Sequence, residues 1–417
     1  MPKNLGLAAA DHPVPRVRGA ALLGPALVAG VAYVDPGNVA SNMTAGARYG
    51  YLLVWVVVAA NVIAWLVQYL SAKLGVVTGQ SLPEAIGARL RRPLARRAYW
   101  LQAEVVAMAT DIAEVIGGAI ALQLLFHVPL LLGGAITGAV SMLLLSVQGR
   151  GGARPFELVV IGLLLVVAIG FLAGLLQAPP DPTAALGGLM PRFTDAGSVL
   201  LAASILGATI MPHAIYAHSA LARDRFGTAP RAALVARLLR ITRWDVTLAM
   251  VVAGAVNLGM LLLAAATLPG AAGTDTLEGA HTALTAQLGP VIGTLFALGL
   301  LASGFASTAV GAYAGSEIMH GLLRVRIPLI TRRLVTLVPA LVILGAGVDP
   351  TVALVISQVA LSFGIPFALV PLLVLTARRR TLGSHANHPG TTIVGVIAAV
   401  LLIALNAVLL WLLFTGA

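Results

Sequence analysis

Apolar runs of about 20 residues follow one another along nearly the whole chain, separated by short polar stretches rich in arginine. A helix of that length crosses the roughly 30 Å hydrocarbon core of a bilayer. The pattern predicts eleven such helices, at about 20–45, 51–75, 97–125, 128–147, 155–177, 195–222, 241–268, 288–320, 328–347, 350–376 and 391–414. The longest connections, 76–96, 178–194, 223–240 and 269–287, are too short to hold a separate domain. The expected fold class is an all-α polytopic membrane protein, with a single transmembrane domain over 19–417. Residues 1–18 are polar and Pro-containing, without a cleavable signal pattern, and are expected to form a flexible cytosolic tail.

Composition agrees with this pattern. Of the 417 residues, 59% are hydrophobic and 10% charged, well below the roughly 25% charged residues of soluble domains. The net charge of +11 raises the question of a nucleic-acid partner. The positions of the charges argue against one. With the N-terminus inside, 24 of the 26 Lys and Arg residues fall on the cytosolic side, and only Arg48 and Arg192 fall outside. That is the positive-inside bias of a membrane protein, so the expected partner is the lipid bilayer. An odd number of spans then puts the C-terminus outside, and the expected location is the inner (plasma) membrane. No obligate protein partner is evident. The chain has no cysteine, which excludes disulfides, thiolate metal sites and cysteine nucleophiles.

Two spans are interrupted in the same way. The first reads GPALVAGVAYVDPGNVASNM and the sixth reads ASILGATIMPHAIYAHSAL. Pro36 and Pro212 each remove an amide hydrogen and clash with the preceding turn. A lone proline in a membrane helix is usually a kink. Two breaks at matching places, five spans apart, point instead to inverted repeats with a binding site near the midplane. Interrupted backbone at that depth is tolerated where it lines a cavity or binds something.

The breaks are flanked by potential ligands. Asp35 is a carboxylate in an apolar helix, which is costly unless paired or functional. Asn38 adds a neutral oxygen, and freed carbonyls near Ala32 and Ala208 add two more. Met211 offers a thioether, which favours later transition metals over magnesium or calcium. Taken alone, Met211 reads more readily as a gap-filling core residue than as a ligand. One charge, several oxygens and one sulfur suit manganese or ferrous iron as substrate.

The stretches AYVDPGNVASN, GATIMPHAIYAHSAL and AEVVAMATDIAEVIG together resemble the Nramp family of proton-coupled divalent-metal transporters, through its DPGN and MPH signatures. The similarity runs over nearly the whole hydrophobic chain. It implies a LeuT-like fold of two inverted five-helix repeats, about 19–177 and 195–376, plus an extra helix at about 391–414. It implies symport of manganese or ferrous iron with protons, and metal ligands at Asp35, Asn38, Met211 and the carbonyls of Ala32 and Ala208. Gln358, a buried amide of the tenth span, matches a residue that joins the metal shell in one conformation. Its plainer reading is a helix–helix hydrogen bond.

The third span carries Glu104, Asp111 and Glu114 on one helical face. At 1.5 Å per residue, Asp111 lies about 20 Å into the membrane and Glu104 about 10 Å. An acidic face at that depth reads as a proton relay, or alternatively as a structural ion-pair network. Arg332 and Arg333, opening the ninth span, are the expected partners, with Arg225 behind them. The resemblance supports a proton route along these two spans. It also favours a proton or gating role for His213, which otherwise reads as a helix cap. His218, Asn257 and Glu317 carry no assigned role.

The expected protein is therefore a transporter without a cofactor, and not an enzyme. A sodium-coupled amino-acid symporter of the same fold would have to bring a substrate carboxylate to Asp35, which repels it. A membrane metal sensor would need a signalling domain, for which the chain has no room. No HExxH or serine-nucleophile motif lies within the spans.

Overall fold

The computed structural model describes residues 24–151, 153–227, 232–271, 273–325 and 327–415, so the predicted tail at 1–18 lies outside the described residues. The described chain is helical throughout. The first span divides into α1 (Pro25–Val31), a 3-10 turn at Ala32–Val34, and α2 (Pro36–Tyr49). The second is α3 (Val54–Thr78), followed by a short helix α4 (Leu82–Arg89). Then come α5 (Pro93–Phe126), α6 (Leu130–Gly151), α7 (Ala153–Gln177) and the short α8 (Pro182–Gly187). The sixth span divides into α9 (Ala196–Thr209) and α10 (Pro212–Phe226). The rest comprises α11 (Ala232–Thr267), the short α12 (Leu277–Leu288), α13 (Pro290–Leu323), α14 (Leu329–Gly345), α15 (Pro350–Ala377), α16 (Arg379–Leu382) and α17 (Pro389–Thr415).

Each predicted span has its helix. Seven helical stretches among the described residues are long and apolar enough to cross a membrane outright: α3, α5, α9 with α10, α11, α13, α15 and α17. The connections are more ordered than the loop reading implies, and local chemistry says why. Ser81 and Glu84 form a capping box that starts α4. Asp181 caps α8 by accepting from the amides of Thr183 and Ala184, and Thr276 caps α12 by accepting from Gly279. The stretch read as a loop at 223–240 is helical from Ala232 onward, so α11 begins nine residues before the predicted 241 and carries Arg237, Arg240 and Arg243 on a helix.

The packing is that of two inverted repeats. If the five spans of the first half are exchanged for those of the second, the contacts exchange too. α11 packs on α1 and α2, as α3 packs on α9 and α10. α7 packs on α13 and on α1, as α15 packs on α5 and on α9. α5 with α13, and α6 with α14, pair across the exchange itself, while α17 lies outside it against α15 and α9. Glycines permit the closest approaches. A Cβ at Gly75 would stand 2.2 Å from the Ser219 carbonyl oxygen, and one at Gly46 would stand 2.5 Å from that of Leu261.

Candidate functional site

Both breaks follow from the same local rule. Proline disfavours a helical residue before it. Asp35 accordingly adopts φ −74°, ψ 169°, and Met211 adopts φ −63°, ψ 120°, each extended at the N-cap of the following half-helix. Proline also has no amide hydrogen to return to the carbonyl four residues earlier. That carbonyl belongs to Ala32 in the first span and to Ala208 in the sixth. The two prolines thus deprive these two carbonyls of their helical partners.

The neighbouring carbonyls are held by side chains from other helices. Asn257 of α11 donates to the Tyr33 carbonyl at 2.8 Å, and Ser303 of α13 donates to that of Val34. Asn42 donates to Asn257 at 3.1 Å, and Gln68 bridges the Tyr33 hydroxyl to Nδ1 of His218. Asn257 and His218 therefore brace the first break from the bundle side.

Asp35, Asn38, Ala32, Ala208 and Met211 are all fully buried. Asp35 Oδ1 accepts from the Asn38 amide at 2.7 Å and from Asn38 Nδ2 at 2.9 Å. The same Nδ2 donates to the Ala208 carbonyl at 2.9 Å, so one side chain ties the two breaks together. Asp35 Oδ2 is buried and has no hydrogen-bond partner. Gln358 of α15 sits against both breaks. A Cβ on Gly37 would fall 1.9 Å from its side-chain nitrogen, and one on Gly207 would fall 1.9 Å from its carbonyl oxygen. Gln358 Oε1 is likewise buried without a partner. Such groups normally cost on the order of 1–3 kcal/mol each, more when charged, so two of them on residues at the paired helix breaks call for something to satisfy them.

The acidic face of α5 meets α14. Arg332 donates to Glu104 at 2.7 Å and lies 3.9 Å from Asp111. Arg333 donates to Asp111 at 3.0 Å and to Glu114 at 3.4 Å, and also to the hydroxyls of Ser141 and Thr308. Gly315 of α13 makes room for Arg332, since a Cβ there would stand 1.8 Å from the guanidinium carbon. This face touches both breaks. Gly117, one turn beyond Glu114, is in contact with Pro36, where a Cβ would stand 2.0 Å from that of the proline. His213 Nδ1 lies 3.1 Å from the hydroxyl of Thr110, the residue before Asp111.

Arg225 stands in the last turn of α10, and the cations that meet the acidic face are Arg332 and Arg333. The prominent cation at the end of α10 is Arg223, which sequence reasoning did not single out. It pairs with Glu84 of α4 at 2.8 Å and with Glu317 of α13 at 3.1 Å, which gives Glu317 a place. Burial pushes the Glu84 carboxyl up, but the Ser81 amide and the Arg223 guanidinium outweigh it and hold the group below the usual carboxylate range. Asp245 of α11 was missed as well. It accepts from the amides of Gly24 and Ala26 at the start of α1, the latter at 3.0 Å. A separation of 219 residues leaves no local signal for that cap.

The family model for natural resistance-associated macrophage protein-like (Nramp) sequences matches residues 26–412. The chain belongs to the Nramp family. It is 60% identical to a divalent metal cation transporter, MntH, of Mycobacterium tuberculosis, over 95% of this chain and 92% of that protein. A crystal structure of the Eremococcus coleocola manganese transporter, in complex with an aromatic bis-isothiourea compound, superposes with a TM-score of 0.84 at 32% identity, covering 95% of this chain and 88% of that one. The structure of MhsT with L-phenylalanine superposes with a TM-score of 0.58 at 13% identity, over 92% of this chain and 98% of that one, a likeness of fold alone. This Nramp chain thus shares its overall fold with a structure that is distant from it in sequence.

Proposed function

We propose that this Nramp chain is a proton-coupled symporter that imports divalent transition-metal ions, manganese or ferrous iron, by alternating access. The observation that carries the reading is the unpartnered, buried Asp35 Oδ2 at the joint of two helix breaks. A cation there gains one carboxylate, the carbonyls of Ala32 and Ala208, the oxygen of Asn38, the Met211 sulfur and, in one conformation, Gln358. Asn38 Nδ2 rests on two of these oxygens, so a cation that takes them displaces the amide and turns its oxygen inward. A substrate carboxylate would meet the charge of Asp35 instead, which weighs against an amino-acid cargo.

The proton reading rests on the charge balance along α5. Three carboxylates, Glu104, Asp111 and Glu114, meet the two guanidiniums of Arg332 and Arg333. Glu104 Oε2 and Glu114 Oε1 are buried without hydrogen-bond partners. Three carboxylates against two guanidiniums leave one negative charge without a cation of its own, and that is the place this reading gives to the transported proton. His213, two residues after Met211, is in contact with Thr110, the residue before Asp111, and in this reading links the two groups. In the same reading the N-terminus is cytosolic, the C-terminus is external, the repeats cover about 19–177 and 195–376, and the membrane is the plasma membrane. A potential negative inside then drives cation uptake by about 2.3 kcal/mol per charge per 100 mV.

The test is ion flux into liposomes that enclose a pH dye, with manganese, ferrous iron, magnesium and calcium as probes. Uptake of the first two with luminal acidification supports the reading, and uptake of none contradicts it. The Met211→Ala variant is expected to keep manganese uptake while admitting calcium or magnesium, because it removes the single soft ligand. Unchanged exclusion in that variant would remove Met211 from the selectivity account.

A further inference from the structure

We infer that the groove between α3 and α11 is a binding site for one anionic phospholipid of the leaflet on the arginine-rich side. The groove has a volume of about 380 Å³ and opens on the outer surface of the bundle. Its walls are apolar and exposed, with Val62 at 61% and Val251 at 63%. Its floor is Gly254, where a Cβ would press on Asn61 at 3.0 Å, so the glycine keeps the channel open. From Thr247 to Leu258 the α11 wall rises through eleven residue steps, or roughly 16 Å. That is close to the depth of one leaflet, about half of a 30 Å hydrocarbon core. The groove therefore fits one acyl chain along its length.

What distinguishes this groove is its polar end. One turn before Thr247, Arg243 lies over the Trp65 ring with its guanidinium carbon 5.7 Å from the ring centroid. The Trp65 indole donates to Thr247 at 2.9 Å, which fixes the ring as a platform. Arg240 stands one turn further toward the helix start, on the same face and also exposed. Among the described residues neither arginine makes an ion pair. The one nearby carboxylate on this helix, Asp245, is buried and faces the amides of α1. Trp244 is 69% exposed beside them, as expected at a membrane interface. Two unneutralised guanidiniums thus cap an apolar channel of one leaflet's depth. That combination matches a phosphate-bearing headgroup with net negative charge joined to an acyl chain.

The test uses the full chain in detergent, with native mass spectrometry counting retained phosphatidylglycerol or phosphatidylcholine of identical acyl chains. The wild type is expected to retain phosphatidylglycerol preferentially. R240Q/R243Q is expected to weaken phosphatidylglycerol binding by about thirtyfold, the effect of two such charges, while leaving phosphatidylcholine unchanged. A255L fills the groove from its exposed side without entering the protein interior, and is expected to reduce retention of both lipids. Equal retention of the two lipids by the wild type, or retention of phosphatidylglycerol by R240Q/R243Q at the wild-type level, would overturn the inference. So would undiminished retention by A255L. Matching Tm values of the variants without added lipid establish that they are folded.

Discussion

Asp35→Ala is expected to abolish manganese uptake while leaving the protein folded. Asp35 carries the sole charge in the proposed ligand set, and a divalent ion in a low-dielectric cavity depends on that charge. Losing a group that merely supports a metal ligand costs roughly 10–100-fold in affinity, so losing the charged ligand itself should exceed that range. The carboxylate also caps α2 through Asn38, and a lost cap costs about 1 kcal/mol, which a bundle this extensively packed should tolerate. The two effects separate by experiment. Manganese binding by calorimetry should vanish, while the Tm in detergent should fall by only a few degrees. Binding within tenfold of the wild type would move the metal away from the breaks.

The largest effect on stability is expected at Arg333. Its side chain is 1% exposed and serves Asp111, Glu114, Ser141 and Thr308 together. Arg333→Leu keeps much of the volume but leaves three carboxylates on α5 facing Arg332 alone. Breaking a buried pair by removing one partner costs about 3–5 kcal/mol, because the remaining charge is uncompensated. The variant should therefore show a strongly lowered Tm or fail to survive purification. R333L/D111N, which also removes one of the stranded charges, should recover a substantial part of the loss. A wild-type Tm for Arg333→Leu would mean that the cluster is screened by water and is not a buried charge balance.

The two broken helices were legible because DPGN and MPH each pair a helix breaker with a polar or soft residue inside an apolar run. The acidic face of α5 was legible from spacing alone, since seven and three residues return to one side of a helix. Its partners Arg332 and Arg333 were expected from their depth, and both reach it. Arg225 illustrates the limit of that approach. Depth and charge do not tell which of two arginines two residues apart meets Glu84 and Glu317, and it is Arg223 that bridges α4 and α13.

Other features depend on contacts that no local pattern encodes. Gln358 reads as a buried amide in sequence, and its position against both breaks needs the bare glycines at 37 and 207. Asp245 reads as an acid near a run of arginines, and its role as a cap on α1 appears only when the chain has folded back across the bundle. The short helices are a different case. The Ser81-Leu-Pro-Glu84 capping box and the Asp181-Pro182 pair are sequence signals for helix starts, and reading those stretches as loops overlooked them.

The proposed account has the metal held at the paired breaks and the proton on α5, linked through His213. The most direct measurement is simultaneous manganese uptake and luminal pH in liposomes containing either the wild type or Asp111→Asn. The wild type should acidify the lumen in step with uptake. Asp111→Asn should still bind manganese, but its uptake should no longer drive acidification. Acidification by Asp111→Asn equal to that of the wild type would contradict a proton route along α5.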